Sequence, residues 1–212
     1  MGETKKNSKA TSILKNNPLT SIVKGNIGII VVLIIMCVAV ALATDKFLTT
    51  NNIISVLRQI SINTYIALGM TLIIILGHID LSVGSIVAMS GTLTVGFIVN
   101  QGLPLGVAIV AGLLVGTAAG FISGFIVANF KVPAFIITMA MMNIASGIAY
   151  VYTGGQSTRI TNKLFIEIGT GYLFNVIPLP VVYMVVLIIL FSFILSKTKF
   201  GTYIYAVSYT HL

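Results

Sequence analysis

Residues 81–130 read LSVGSIVAMSGTLTVGFIVNQGLPLGVAIVAGLLVGTAAGFISGFIVANF, and none of these 50 residues is Asp, Glu, Lys or Arg. A helix crosses a hydrocarbon core of ~30 Å with ~20 apolar residues, at ~1.5 Å per residue. The stretch is too long for one crossing and suits two. The turn residues Asn100-Gln101-Gly102-Leu103-Pro104 place the break, so spans are expected at 83–99 and 104–129. Working outward by the gaps between charges, 25–44 and 59–77 form spans before this pair. Pro133 opens a span over 133–152, and Pro178 and Pro180 open another over 178–196. The expected fold is an all-α integral membrane protein, a polytopic bundle of about six transmembrane helices.

Composition agrees. The chain has 212 residues, 57% hydrophobic and 8% charged, whereas a soluble domain has about 25% charged residues. Its mean hydropathy is +1.08. Such a chain has too few charges for a water-facing surface and too many large apolar residues for disorder. The single cysteine, Cys37, excludes a disulfide framework. The net charge of +8 does not mark a nucleic-acid binder, because the basic residues lie in a polar leader (1–24) and between apolar runs, not on one face interleaved with aromatics. With the leader in the cytoplasm, eight Lys and Arg fall inside (five in the leader, then Lys131, Lys197 and Lys199). Four fall outside: Lys46, Arg58, Arg159 and Lys163. That bias predicts a cytoplasmic N-terminus. The amphipathic stretch 47–58 is expected to lie in the outer interface, ahead of the second span.

Three features carry mechanism. Ala108, Gly112, Gly116, Gly120, Gly124 and Ala128 recur every four residues, and Gly84, Ala88, Thr92 and Gly96 form a second stripe. Four-residue spacing puts each set on one helix face, where small residues let helices approach closely in lipid. These stripes are expected to pack helices, a role general to membrane bundles. Second, Gly77-His78-Ile79-Asp80-Leu81-Ser82-Val83-Gly84 carries the only acid between Asp45 and Glu167. A charge at membrane depth is costly and faces a cavity or a partner; equally, Asp80 or Ser82 can cap the helix that follows. His78 is a pathway candidate or an interfacial polar group. Third, Asn63 and Asn143 lie inside spans, where they either bond between helices or meet a hydroxylated solute. No catalytic, cofactor-binding or metal-binding constellation occurs, so no enzyme activity and no cofactor are expected, and transport must draw energy from an ion gradient or a partner.

The run LGMTLIIILGHIDLSVGSIVAMSG (68–91) resembles the signature of bacterial ABC permeases for ribose, xylose and galactose-type sugars. FLTTNNIISVLRQISIN (47–63), KVPAFIITMAMMNIASGIAYVYTGG (131–155) and TKFGTYIYAV (198–207) match in the family's order, so the likeness covers roughly 45–207. His78 and IGTGYL (168–173) are similar to the xylose or multiple-monosaccharide branch. The resemblance implies a permease in the bacterial plasma (inner) membrane. Its partners would be a cytoplasmic ABC ATPase, a periplasmic or lipid-anchored sugar-binding protein and a second permease copy. It implies pathway or gate roles for Asp80 and Ser82, with Gly84 also matching the signature. The chain departs from the family at Ser208-Tyr209-Thr210-His211-Leu212, where a cytoplasmic ATPase-docking segment and further helices are expected. That predicts a partial permease domain over 25–207 and a non-native tail at 208–212. The competing readings are an ion-coupled carrier using His78 and Asp80 as a proton site, and a non-transporting membrane scaffold.

Overall fold

The computed structural model describes residues 25–210; the expected cytoplasmic leader and the end of the expected tail lie outside the described residues. Eight helices are described: α1 (Ile27–Ala43), α2 (Thr50–Ile75), α3 (Val83–Val99), α4 (Leu105–Phe130), α5 (Ala134–Thr153), α6 (Lys163–Thr170), α7 (Leu179–Lys197) and α8 (Lys199–Thr210). Between α6 and α7, β1 (Tyr172–Leu173) pairs antiparallel with β2 (Ile177–Pro178), Leu173 opposite Ile177. Four helices, α2, α4, α5 and α7, are long and apolar enough to cross a membrane, and the apolar α1 and α3 have 17 residues each. The six expected spans all appear as helices, with ends within a few residues of those read from charges and prolines except at the start of α2, which lies nine residues before the expected 59.

The chain divides into two compact units, Met1–Ser55 and Val56–Leu212. In the first, α1 has no buried residue, as suits a helix solvated by lipid. Thr49 caps α2, its hydroxyl accepting the Asn52 amide at 3.4 Å, and the Asn52 side chain donates to the Phe47 carbonyl at 2.7 Å. The stretch 47–58 is therefore not a separate interfacial segment. From Thr50 it is the start of α2, because a capped start is followed by no glycine or proline until Gly69.

In the second unit, α3, α4 and α5 pack together around Met89, Ala119, Met141 and Ala145. Pro104, Pro133 and Pro178 stand at the starts of α4, α5 and α7. Proline suits such positions because its missing N–H would find no helical partner there. A stretch rich in polar residues connects α5 to α7. It holds α6, capped by Asn162 on the Phe165 amide at 3.1 Å, and the small hairpin. Arg58 of α2 donates to the Thr170 carbonyl at 2.7 Å and lies 5.0 Å from the Tyr172 ring centre, tying that connection to α2. The Tyr65 hydroxyl donates to the Pro180 carbonyl at 2.5 Å.

The small-residue stripes divide by role. A Cβ on Gly112 would crowd the Thr94 side chain and stand 3.1 Å from the Ser90 carbonyl. On Gly116 it would touch the Ser90 Cβ at 3.5 Å, and on Gly96 it would meet the Tyr152 ring. Ala108 is fully buried. These positions pack one helix against another. Gly84, Gly120 and Gly124 do not: a Cβ on any of them meets no atom within 4 Å. The stripe continues past Gly116, but α3 ends there and leaves nothing to pack against.

Candidate functional site

The signature loop joins α2 to α3. Gly77 ends α2 with φ +78°, a conformation that favours glycine. Its amide bonds Ile74 O at 2.9 Å, and the His78 amide bonds Ile73 O at 3.1 Å, the two bonds of a Schellman termination. His78, Ile79 and Asp80 then leave the helix. One carboxylate oxygen of Asp80 accepts the Ser82 amide at 2.7 Å and the Ser82 hydroxyl at 2.6 Å. Ser82 is fully buried, and its carbonyl receives the Ile86 amide at 2.9 Å, the first bond of α3. Asp80 thus fixes the start of α3 through Ser82 and sets a negative charge at the positive end of the helix.

Helix register gives the loop's depth. Gly116 of α4 lies against Ile86 and Ser90, and Gly112 against Ser90 and Thr94. Extended along the antiparallel pair, Val83 falls level with about Gly120, ten residues before α4 ends at Phe130, or ~15 Å at 1.5 Å per residue. The parallel pair α3–α5 agrees. Ser146 donates to Ser85 at 3.0 Å, and Ser146 lies twelve residues past the start of α5 at Ala134. Val83 is then again ~15 Å from the α4–α5 turn. This is about half of a ~30 Å hydrocarbon core. Non-helical backbone at such depth is stable where protein buries it or where it lines a cavity.

A cavity is there. It has a volume of about 980 Å³ and is lined by Gly77, His78, Ile79 and Asp80 at one end and by Lys131, Val132 and Pro133 at the other, with Gly120, Ser123, Gly124 and Thr138 along its walls. The side chains that Gly120 and Gly124 lack would occupy this space. The structure therefore gathers His78 and Asp80 with the unpacked part of the α4 stripe. Asn63 and Asn143 stand apart from it. Both are exposed, and Asn143 donates to its own helix at Met139 O, 3.0 Å away. Gly84 follows the loop without lining the cavity, and Ala88 lines a second cavity.

That second cavity, of about 640 Å³, lies between α3 and α5 at the end away from Lys131. Its lining includes Thr92, Ser146, Tyr150, Thr153, Gln156, Ser157 and Thr158. The polar run 153–158 carries no local signal of a cavity; the α3–α5 register brings it together with Thr92. Among the described residues, no group of three or more His, Cys, Asp or Glu gathers to hold a metal.

Comparison with known proteins adds the family. The family model described as branched-chain amino acid transport system / permease component matches residues 52–209. The chain belongs to this family. It is a multi-pass helical membrane protein, as the apolar helices require. This permease chain is 41% identical over 180 residues to the ribose import permease protein RbsC of Haemophilus influenzae, covering 83% of this chain and 55% of that protein. It is 37% identical to RbsC of Escherichia coli K12, over 84% of this chain and 56% of the relative. It is 33% identical to the L-arabinose ABC transporter permease protein AraH of Azospirillum brasilense, over 85% and 52% respectively. The chain thus spans about half the length of the curated relatives it matches. No solved structure matches it.

Proposed function

We propose that this chain is part of the membrane-spanning subunit of an ATP-driven importer that brings a monosaccharide into the bacterial cytoplasm. The observation that carries the reading is the likeness to ribose and L-arabinose permeases, with the permease family matched over 52–209, a stretch that includes a loop set at mid-membrane depth and facing a cavity. The proposed pathway residues are His78, Asp80 and Ser82. Asn63 and Asn143, exposed on this single chain, are proposed to meet the cargo or the second copy in an assembled permease. The protein sits in the bacterial plasma (inner) membrane with its N-terminus inside, so the Lys131 mouth opens to the cytoplasm and the second cavity faces out. A cytoplasmic ATPase and an external sugar-binding protein are the proposed partners, and this subunit binds no nucleotide. Transport by alternating access asks helices to shift against one another. Close glycine contacts at Gly112, Gly116 and Gly96, with none at Gly120 and Gly124, support such shifts, because they leave the loop end of the bundle open.

The test is uptake of labelled D-ribose and L-arabinose by the complete transporter. The reading expects uptake that depends on ATP, survives collapse of the proton gradient and falls in Asp80→Asn at normal expression. Uptake abolished by collapsing the gradient with ATP held constant would instead establish the carrier reading. Full uptake by Asp80→Asn would leave Asp80 with its structural role alone.

A further inference from the structure

The outward-facing cavity between α3 and α5 has chemistry of its own. No residue lining it carries a charge. Its polar side chains are hydroxyls and one amide, among them Thr92, Tyr150, Gln156, Ser157 and Thr158. A threonine in a membrane helix ordinarily satisfies its hydroxyl on the carbonyl one turn back. Thr64, Thr71, Thr94, Thr117 and Thr153 do so here, at 2.7–3.0 Å. Thr92 does not, although it is half-buried in the cavity wall. The turn after α5 is held over it by two glycines in left-handed conformation, Gly154 (φ +62°) and Gly155 (φ +74°), with the Tyr150 ring lying against Gly155. Hydroxyl donors and acceptors, an aromatic face and no charge are what a neutral polyhydroxylated molecule requires; an ion would find no counter-charge.

We propose that this cavity is a binding site for a neutral monosaccharide at the outer end of the α3–α5 pair, with Thr92 and Gln156 supplying the polar contacts and Tyr150 the stacking face. The proposal rests on the transport reading for the side of the membrane it faces, and it deepens that reading by locating where cargo enters. At its floor, the Ser85–Ser146 hydrogen bond stands between this site and the loop that starts α3.

The test uses the full chain in lipid nanodiscs, with Cys37→Ser and a reporter Ser157→Cys at the rim, and follows thiol labelling with and without D-ribose. The proposal expects D-ribose to slow labelling of Ser157→Cys and not of Glu167→Cys on α6. In Thr92→Val, the sugar concentration for half-protection rises about 3- to 10-fold, the worth of one hydrogen bond. Gln156→Ala, in an exposed turn, gives a like shift should Thr92→Val not fold. Labelling unaffected by D-ribose, equal slowing at Glu167→Cys, or equal protection by choline or acetate would each overturn the proposal. Uptake by the complete transporter without protection at Ser157→Cys removes this site and leaves the permease reading. Protection here with no uptake keeps the site and removes that reading.

Discussion

Gly112 and Gly120 belong to one sequence stripe and yet differ in surroundings, so they support a direct comparison. A Cβ on Gly112 meets the Thr94 hydroxyl, itself bonded to Ser90 O at 2.7 Å, and stands 3.1 Å from that same carbonyl. Valine at 112 must therefore displace a β-branched side chain, break its hydrogen bond and push α3 from α4. Overpacking costs ~1–3 kcal/mol, and the Thr94 bond, a back-bond within its own helix, adds little, so Gly112→Val is expected to lose about 1–3 kcal/mol. Gly120 faces open space. Gly120→Val is expected to change stability by less than about 1 kcal/mol, since replacing a helix glycine itself favours the helix by a few tenths. Reversible unfolding of the purified chain in mixed micelles, followed by circular dichroism, reads both. Equal losses at the two positions would refute the register on which the depth of the loop also depends.

Gly77→Ala places a side chain at φ +78° and is expected to cost about 1–2 kcal/mol in the same unfolding assay, while Gly77→Asn costs less; equal stability of all three would deny the Schellman termination. Ser146→Ala removes the α3–α5 hydrogen bond to Ser85 and should cost about 0.6 kcal/mol, with Ser85→Ala non-additive to it in a double-mutant cycle. Arg58→Ala frees the Thr170 carbonyl and uncovers Tyr172; protease cleavage within 171–177 should accelerate relative to wild type, and an unchanged rate would show that the connection is held by other contacts.

Much of the fold was legible because lipid leaves few choices. Charges cannot lie within a span without cost, so Lys131, Lys197 and the Asn100–Pro104 turn marked helix ends closely, and prolines at 133 and 178 marked starts. The extension of α2 back to Thr50 was not legible, since amphipathic character alone does not say whether a segment joins the next helix; the Thr49 cap decides that. The stripes were legible as faces but not as partners. Period four puts Gly112 and Gly124 on one line, and only the start of α3, some ten residues short of the end of α4, separates the packed half from the cavity half. For the same reason the paired roles of Asp80 could be written down as alternatives from sequence, while its position beside a cavity needed the registers of α3 against both neighbours. Thr92 and the 153–158 turn gave no local signal at all, because their meeting depends on which helix lies opposite.

The account stands most directly on the depth of the α2–α3 loop. Spin labels at Asp80→Cys and Lys131→Cys, each with Cys37→Ser in lipid vesicles, report depth through power saturation by oxygen and by a water-soluble nickel chelate. Asp80 is expected ~15 Å deeper than Lys131, the ten-residue offset at 1.5 Å per residue, with partial access to the chelate through the cavity. Equal depths for the two labels, as an ordinary surface loop would give, would contradict the account.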